Sequence, residues 1–271
     1  MTSIFSRWFS SRQVPEPFKP GVYHMKATTG SRFPYRLHLR IEHGDRSILI
    51  VNAATILHLN PTATAHALQL IKGATEEQAA DAIAQRYNVS RKQAQRDHAT
   101  LREKIITLAT NPDVDPVLYL DIERARPYEG TPSAPYRIDL ALTYATDPDG
   151  KYDPLARERV NQELSTDEWK KILHTTWDAG IPHVTFTGGE PTRREDLVDL
   201  IRHAEQLGQV TGILTEGRKL ADPAFVRELQ KAGLDHFLIV YLQGNPSNLE
   251  GIKNALASDV FTAIHLSLIH I

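Results

Sequence analysis

From residue 137 onward the chain repeats one grammar, and that repeat restricts its folds more than any other feature. A short β-rich run is followed by a capped helix, a glycine, and the next run. Strands are expected at 137–144, 183–187, 210–215 and 236–242, with a fifth beginning at 260. Helices are expected at 165–179, 194–207, 223–232 and 247–257, the first three stopped by Gly180, Gly208 and Gly233. Ser165 and Glu168 have the spacing of a capping box at the start of the first helix. Strand and helix alternating through short connections imply a parallel sheet or barrel, and ligands on such sheets bind at the carboxyl ends of the strands.

The residues before 110 follow another order. Runs at 36–41, 47–51 and 55–59 read as strands, with a turn at 43–45 between the first two. Three helices then follow. Asn60 caps the first, with Pro61 at its first position, and apolar residues carry it to Gly73. Thr75 and Gln78 form a capping box for the second, which runs to about Tyr87. Ser90 caps the third, with Ala94, Leu101, Ile105 and Leu108 at helical spacing. Residues 1–20 are expected to be a flexible tail ended by Pro15, Pro17 and Pro20. Proline, glycine and serine mark 111–134 as a linker around a short segment at 117–123.

Composition removes several classes of function. With no cysteine in 271 residues there is no disulfide, thiolate metal site or cysteine nucleophile. No apolar run approaches a membrane span, and the first 20 residues lack the apolar core of a secretory signal, so a cytoplasmic location and no membrane partner are expected. Charge is uneven. Residues 1–110 carry 15 Lys and Arg against 8 Asp and Glu, and the remainder 16 against 25, giving +7 and −9 and the net −2. The basic half suits an acidic partner, and two mutually attracting domains would show the same asymmetry.

Two resemblances sharpen this reading. L-N-P-T-A at 59–63 and K-G-A-T-E-E-Q-A-A-D-A-I-A at 72–84, in the order strands then helices, resemble the PqqD family of winged-helix peptide chaperones over about 33–110. The resemblance implies that a leader or substrate peptide adds as a strand beside Thr55, Ile56, Leu57, His58 and Leu59 and lies against the third helix. There Arg91, Lys92, Arg96 and Arg102 could meet its acidic side chains. Duplex DNA is the weaker alternative for a winged helix with a basic last helix. The second resemblance is carried by V-T-F-T-G-G-E-P at 184–191, after a second strand and an A-G-I-P-H lead-in. From 134 to about 265 the chain resembles the first half of a peptide-modifying radical S-adenosylmethionine (SAM) core.

The radical SAM resemblance implies SAM binding by Gly188, Gly189, Glu190 and Pro191, with Glu190 accepting from the methionine ammonium, and by Thr215 and Glu216 after the third strand. The family places C-x-x-x-C-x-x-C after the first strand. Here Thr146, Gly150 and Asp153 take those positions. Glycine offers no ligand, and hydroxyl and carboxylate oxygens are hard donors unsuited to an iron–sulfur cluster. No iron–sulfur cluster is therefore expected, and SAM is the cofactor the pocket could still take. The third-strand motif also departs from the family's T-N-G, since Glu216 brings a negative charge, and Tyr241 replaces a small polar residue after the fourth.

Other polar residues read as structural. Asp147, Asp149 and Asp153, with Glu158 beyond, have calcium-loop flavour but not the spacing, so no metal is expected and the loop is a polar turn. His183 and His236 begin strands, away from the site. Glu168 and Asp196 are expected on solvated faces or caps. Residues 266–271 read as an in-frame translation of a sequencing-adapter end. The expected architecture is an α/β, (β/α)n partial TIM barrel, truncated at its C-terminus, at 135–265, preceded by a small α+β winged-helix domain at 21–110. The expected role is a peptide-binding scaffold or a partner of a modification enzyme, and the alternative is a SAM-binding enzyme using non-radical chemistry.

Overall fold

The computed structural model describes residues 15–27, 35–44, 46–111, 113–123, 133–146 and 162–266. The chain divides into two compact units, Met1–Ser133 and Ala134–Ile271.

The first unit is a four-stranded antiparallel sheet carrying helices. Its strands are β1 (Gly21–Ala27), β2 (Tyr35–Ile41), β3 (Ser47–Val51) and β4 (Thr55–Leu59), in the order β1-β2-β3-β4. The helices are α1 (Pro61–Ile71), α2 (Glu76–Tyr87), α3 (Arg91–Thr110) and the short α4 (Pro116–Leu120). The caps act as their residue types dictate. Asn60 accepts from the Ala63 amide at 2.8 Å, Thr75 and Gln78 close a capping box, and Ser90 accepts from the Gln93 amide. Leu37, Leu39, Leu49 and Leu57 of the sheet pack with Leu68 and Ile71 of α1 and Ile105 and Leu108 of α3 in one core.

Two expectations for this unit are corrected. Three strands are expected and a fourth is present: β1, whose first residues abut the expected tail, pairs along its whole length with β2, from Gly21 opposite Ile41 to Ala27 opposite Tyr35. Y-H-M-K-A at 23–27 does alternate, and Tyr23, Met25 and Ala27 pack against the core of this unit, but the strand it pairs with is decided by its neighbour. The alternation of β2 suggests one wet face, yet all seven of its residues are buried, Arg36, His38 and Arg40 included. The short helix α4 also occupies part of the expected linker, with the Asp115 carboxylate accepting from the Val117 amide.

The β3–β4 turn stores strain. The Ala54 amide donates to the Val51 carbonyl at 3.0 Å, and Asn52 and Ala53 both have positive φ, 53° and 55°. Asn52 compensates: its Oδ1 accepts from the Arg36 amide at 3.0 Å and its Nδ2 donates to the Ala109 carbonyl at 2.8 Å. Ala53 has no such compensation. Ala53→Gly should raise stability by about 0.5–1 kcal/mol, the relief of the left-handed conformation exceeding the added freedom of the unfolded chain. A urea midpoint that stays level or falls would contradict this.

The second unit is a five-stranded parallel sheet in sequential order: β5 (Arg137–Thr143), β6 (His183–Gly188), β7 (Val210–Thr215), β8 (His236–Val240) and β9 (Phe261–His265). Between them run α5 (Thr166–Asp178), α6 (Leu197–Leu207), α7 (Pro223–Ala232) and α8 (Pro246–Leu256). Phe186, Ile213, Phe237 and Ile239 of the sheet bury against Leu173, Leu200, Ile201, Val226 and Leu229 of the helices. This core aligns the strands, so that the carboxyl ends of β6, β7 and β8 come together.

Candidate functional site

The centre of that carboxyl edge is Glu190. It stands two residues past the end of β6, is 2% exposed, and its carboxylate accepts from four of the chain's own donors. Oε1 accepts from the Thr192 amide at 3.0 Å, the Thr192 hydroxyl at 2.5 Å and the Thr215 hydroxyl at 2.7 Å. Oε2 accepts from the Glu216 amide at 2.7 Å. A carboxylate has about four lone-pair directions, so three donors crowd one oxygen and one is left on the other. In this arrangement the Glu190 carboxylate already accepts from four internal donors. Glu190 clasps the β6 and β7 loops together, and a ligand amine would have to displace a donor or find the remaining direction of a buried oxygen.

The two glycines before it serve the same closure. The Gly189 amide donates to the Thr143 carbonyl and the Glu190 amide to the Ala145 carbonyl, both at 2.7 Å, so the β6 loop runs on against the segment after β5. At Gly188, with φ +127°, a Cβ would lie 2.2 Å from the Thr143 carbonyl oxygen, and at Gly189 one would lie 2.3 Å from that of Ala145. Close approach of protein backbone by itself requires glycine at both positions. Pro191 begins a single 3-10 turn, Pro191–Arg193, and is buried.

Glu216 is likewise not a bare charge. Arg218 Nε sits 3.2 Å from its Oε2 and offsets part of the charge that Glu216 brings. Its carbonyl accepts from Asn248 Nδ2 at 2.6 Å. Asn248, on α8, is fully buried, donates also to the Val240 carbonyl at 2.9 Å and accepts from the Leu242 amide. It ties the ends of β7 and β8 and went unread in the sequence, where N-P-S-N showed only a helix start. Tyr241 is partly exposed beside this tie.

Asp196 is also more than a solvated cap. Arg194 Nε and Nη2 grip its carboxylate at 2.8 and 2.7 Å, and Thr166 donates to it. Burial pushes the Asp196 carboxyl up, but these bonds and the Arg194 charge outweigh it and hold the group below the ordinary value. Arg194 Nη1 donates to the Leu142 carbonyl, so the pair anchors α6 to the end of β5. Thr143 donates to Glu163 at 2.5 Å on the same side.

Of the degenerate cluster positions, Thr146 is half-buried after β5, while Gly150 and Asp153 lie outside the described residues, as do Asp147, Asp149 and Glu158. Among the described residues no group of three or more His, Asp or Glu side chains is arranged to hold a metal. The donors present do not fit an iron–sulfur cluster. His183 and His236 stand at the opposite end, rings edge to face at 4.9 Å. Gly212 makes room for them, since a Cβ there would lie 2.0 Å from His236 Nε2. Burial first, then the Arg137 charge, hold His236 down to about 4. Both are structural.

In the first unit, β4 is an edge strand with Ile56 and His58 exposed, so its outer backbone is open to pairing among the described elements. The basic residues of α3 are largely committed. Arg91 is bound to Asp81 at 2.7 Å, Arg102 lies 3.5 Å from Glu76, both on α2, and Arg96 donates to Gln93. Lys92 is exposed. Arg91 and Arg102 thus pair across a seam between α2 and α3, and exposed pairs of this kind are weak enough to exchange partners. No described helix is long and apolar enough to cross a membrane.

Comparison with known proteins agrees with both halves. Residues 143–266 match the family model of the radical SAM superfamily, and residues 47–105 match that of coenzyme PQQ synthesis protein D (PqqD). The chain thus joins a radical SAM-like core lacking cysteine to a preceding PqqD-like domain. It is 34% identical over 139 residues to the PqqA peptide cyclase of Bradyrhizobium diazoefficiens, covering 49% of this chain and 36% of that protein. It is 37% identical over 130 residues to that of Rhodopseudomonas palustris, covering 47% and 34%. The chain therefore spans about a third of the length of these curated relatives. Among solved structures, Streptococcus suis SuiB bound to precursor peptide SuiA aligns with a TM-score of 0.43 at 14% identity, over 84% of this chain and 61% of that one.

Proposed function

We propose that this chain binds a peptide through its first unit and serves as a scaffold or partner in ribosomal-peptide modification, its radical SAM-like half being unable to cleave SAM reductively. In this reading 21–110 is a winged-helix peptide-binding domain, 111–134 a linker and 135–265 the first half of a partial barrel. The observation that carries it is the pairing of a PqqD-like segment with a radical SAM-like segment that has no thiolate. The edge position of β4 supports peptide addition there, since an unpaired edge supplies main-chain bonds and Ile56 and His58 the side-chain contacts. The relatives named PqqA peptide cyclase point to a precursor of that kind as the peptide. Closure of the Glu190 carboxylate supports a structural rather than catalytic second unit.

The second reading, a SAM-binding enzyme using non-radical chemistry, is favoured by one observation: the Gly188–Pro191 segment sits at the carboxyl edge of a parallel sheet with one direction of Glu190 Oε2 left open. One set of measurements separates the two. Labelled PqqA peptide should bind the full chain saturably, and Ile56→Pro should weaken binding at least tenfold while the far-ultraviolet spectrum is retained, because proline removes an N–H and restricts φ on the edge. Anaerobic iron and sulfide with SAM should yield neither cluster absorbance nor 5′-deoxyadenosine. A stoichiometric four-iron centre overturns the scaffold reading. Tight SAM binding without peptide binding favours the enzyme.

A further inference from the structure

One cluster in the first unit plays no part in that reading. His66 on α1 and His98 on α3 are each 1% exposed, and their Nδ1 atoms lie 3.4 Å apart, with ring centroids 5.6 Å apart and planes 29° from parallel. Two imidazoles that meet nitrogen to nitrogen can bond only if one Nδ1 carries a proton and the other does not. The contact therefore excludes only a pair in which both rings are cationic, and a single added proton on an outer nitrogen keeps the bond while burying a positive charge between helices. A second added proton would set two N–H groups against each other and two positive charges side by side.

The packing around the pair is largely apolar. The sheet turns Leu37, Leu39, Leu49, Val51 and Leu57 into this helical layer, none of them charged. Ala65, Ala80, Ile83 and Ala94 fill the neighbouring space between α1, α2 and α3. Two charged groups act on His98: Glu76 at the start of α2, which favours its protonation, and Arg102 one turn along α3, which opposes it. Glu76 and Arg102 are half-exposed and paired with each other at 3.5 Å, so their effects largely cancel. Burial is the first cause lowering both imidazoles, and His66, lowered also by His98, is brought to about 4.

We infer that the His66–His98 pair is an acid-sensitive latch holding α1 to α3, so that its protonation loosens the helical layer behind the peptide-binding sheet. The direction follows from linkage. The imidazoles titrate lower in the fold than in the unfolded chain. The latch is therefore at full strength above the unfolded value of 6.5 and weakens as pH falls from there toward 4. Each proton taken up on opening raises the opening constant about tenfold per pH unit in that window.

Hydrogen exchange read by mass spectrometry on the full chain tests it. Corrected for intrinsic rates, protection of 61–71 and 91–110 should fall at least tenfold between pH 7 and pH 5, while 197–207 and 223–232 of the second unit change less. His66→Leu/His98→Leu, which replaces both partners with apolar groups, should flatten that dependence. Equal protection of α1 and α3 at the two pH values in the unaltered protein overturns the latch, as does an unchanged acid loosening in the double variant. Should the variant not fold, the imidazole carbon and proton shifts of the unaltered protein decide: two rings remaining neutral at pH 6 support the latch, and none doing so overturns it.

Discussion

Glu190→Ala should cost the second unit about 4 kcal/mol, a large part of the stability of an ordinary domain. The substitution strips the acceptor from four donors at once: the Thr192 amide and hydroxyl, the Thr215 hydroxyl and the Glu216 amide. These groups are buried or nearly so, and each stranded donor costs about 1–3 kcal/mol, less than additively because the loops can part and admit water. Glu190→Gln separates charge from connectivity. Its carbonyl can serve the three donors on one side, but its amide then faces the Glu216 N–H, donor against donor, for a loss of about 1–2 kcal/mol. Urea unfolding followed by tryptophan fluorescence is the measurement, since Trp169 and Trp177, two of the three tryptophans, lie in α5. An alanine variant as stable as the unaltered protein would mean that Glu190 is not a clasp. The ligand reading would then regain its ground.

Gly188→Ala should be nearly as damaging, by about 3 kcal/mol or more, through overpacking and backbone strain together. At φ +127° an L-residue is strained wherever it sits, and here the added methyl would stand 2.2 Å from a backbone oxygen that cannot swing aside. Gly244→Ala isolates the conformational part. Gly244 has φ +77° but nothing within 4 Å of an added Cβ, so it should lose only about 1–2 kcal/mol. If both variants lose the same amount, the close approach to Thr143 is not what demands glycine at 188. If Gly188→Ala folds normally but fails to bind SAM, the segment is shaped for a ligand after all.

The two expectations share a lesson about reading motifs. T-G-G-E-P signals a ligand loop because glycines permit close approach and a glutamate attracts an amine. In this chain the approaching atoms are the Thr143 and Ala145 carbonyls, and the attracted donors are Thr192, Thr215 and Glu216. Nothing in residues 184–191 distinguishes these cases, because apart from the nearby Thr192 the partners come from 143–145 and 215–216 and meet only once the parallel sheet has formed. The same limit applies to the basic residues of α3. Arg91 and Arg102 read as an open cationic row until α2 presents Asp81 and Glu76 to them. Asn248 is the converse case, a residue with no motif around it that becomes the tie between two strand ends.

What the sequence determined by itself was local. Asn60, Thr75, Ser90 and Ser165 start their helices through bonds from amides three residues on, and the β-rich runs of the second unit become strands between helices with single apolar faces. Such signals are legible because donor, acceptor and spacing lie within one turn or one strand. The absence of thiolates was equally legible, being a matter of composition. Tertiary structure alone decided that β1 joins the first sheet and that the polar residues of β2 are buried. It also turned Glu190 inward onto its own chain and brought His66 within reach of His98. Each of these depends on partners from other elements, as in the 25 residues between Glu190 and Thr215 and the 32 between His66 and His98, which only packing of the apolar faces brings within a hydrogen bond's length.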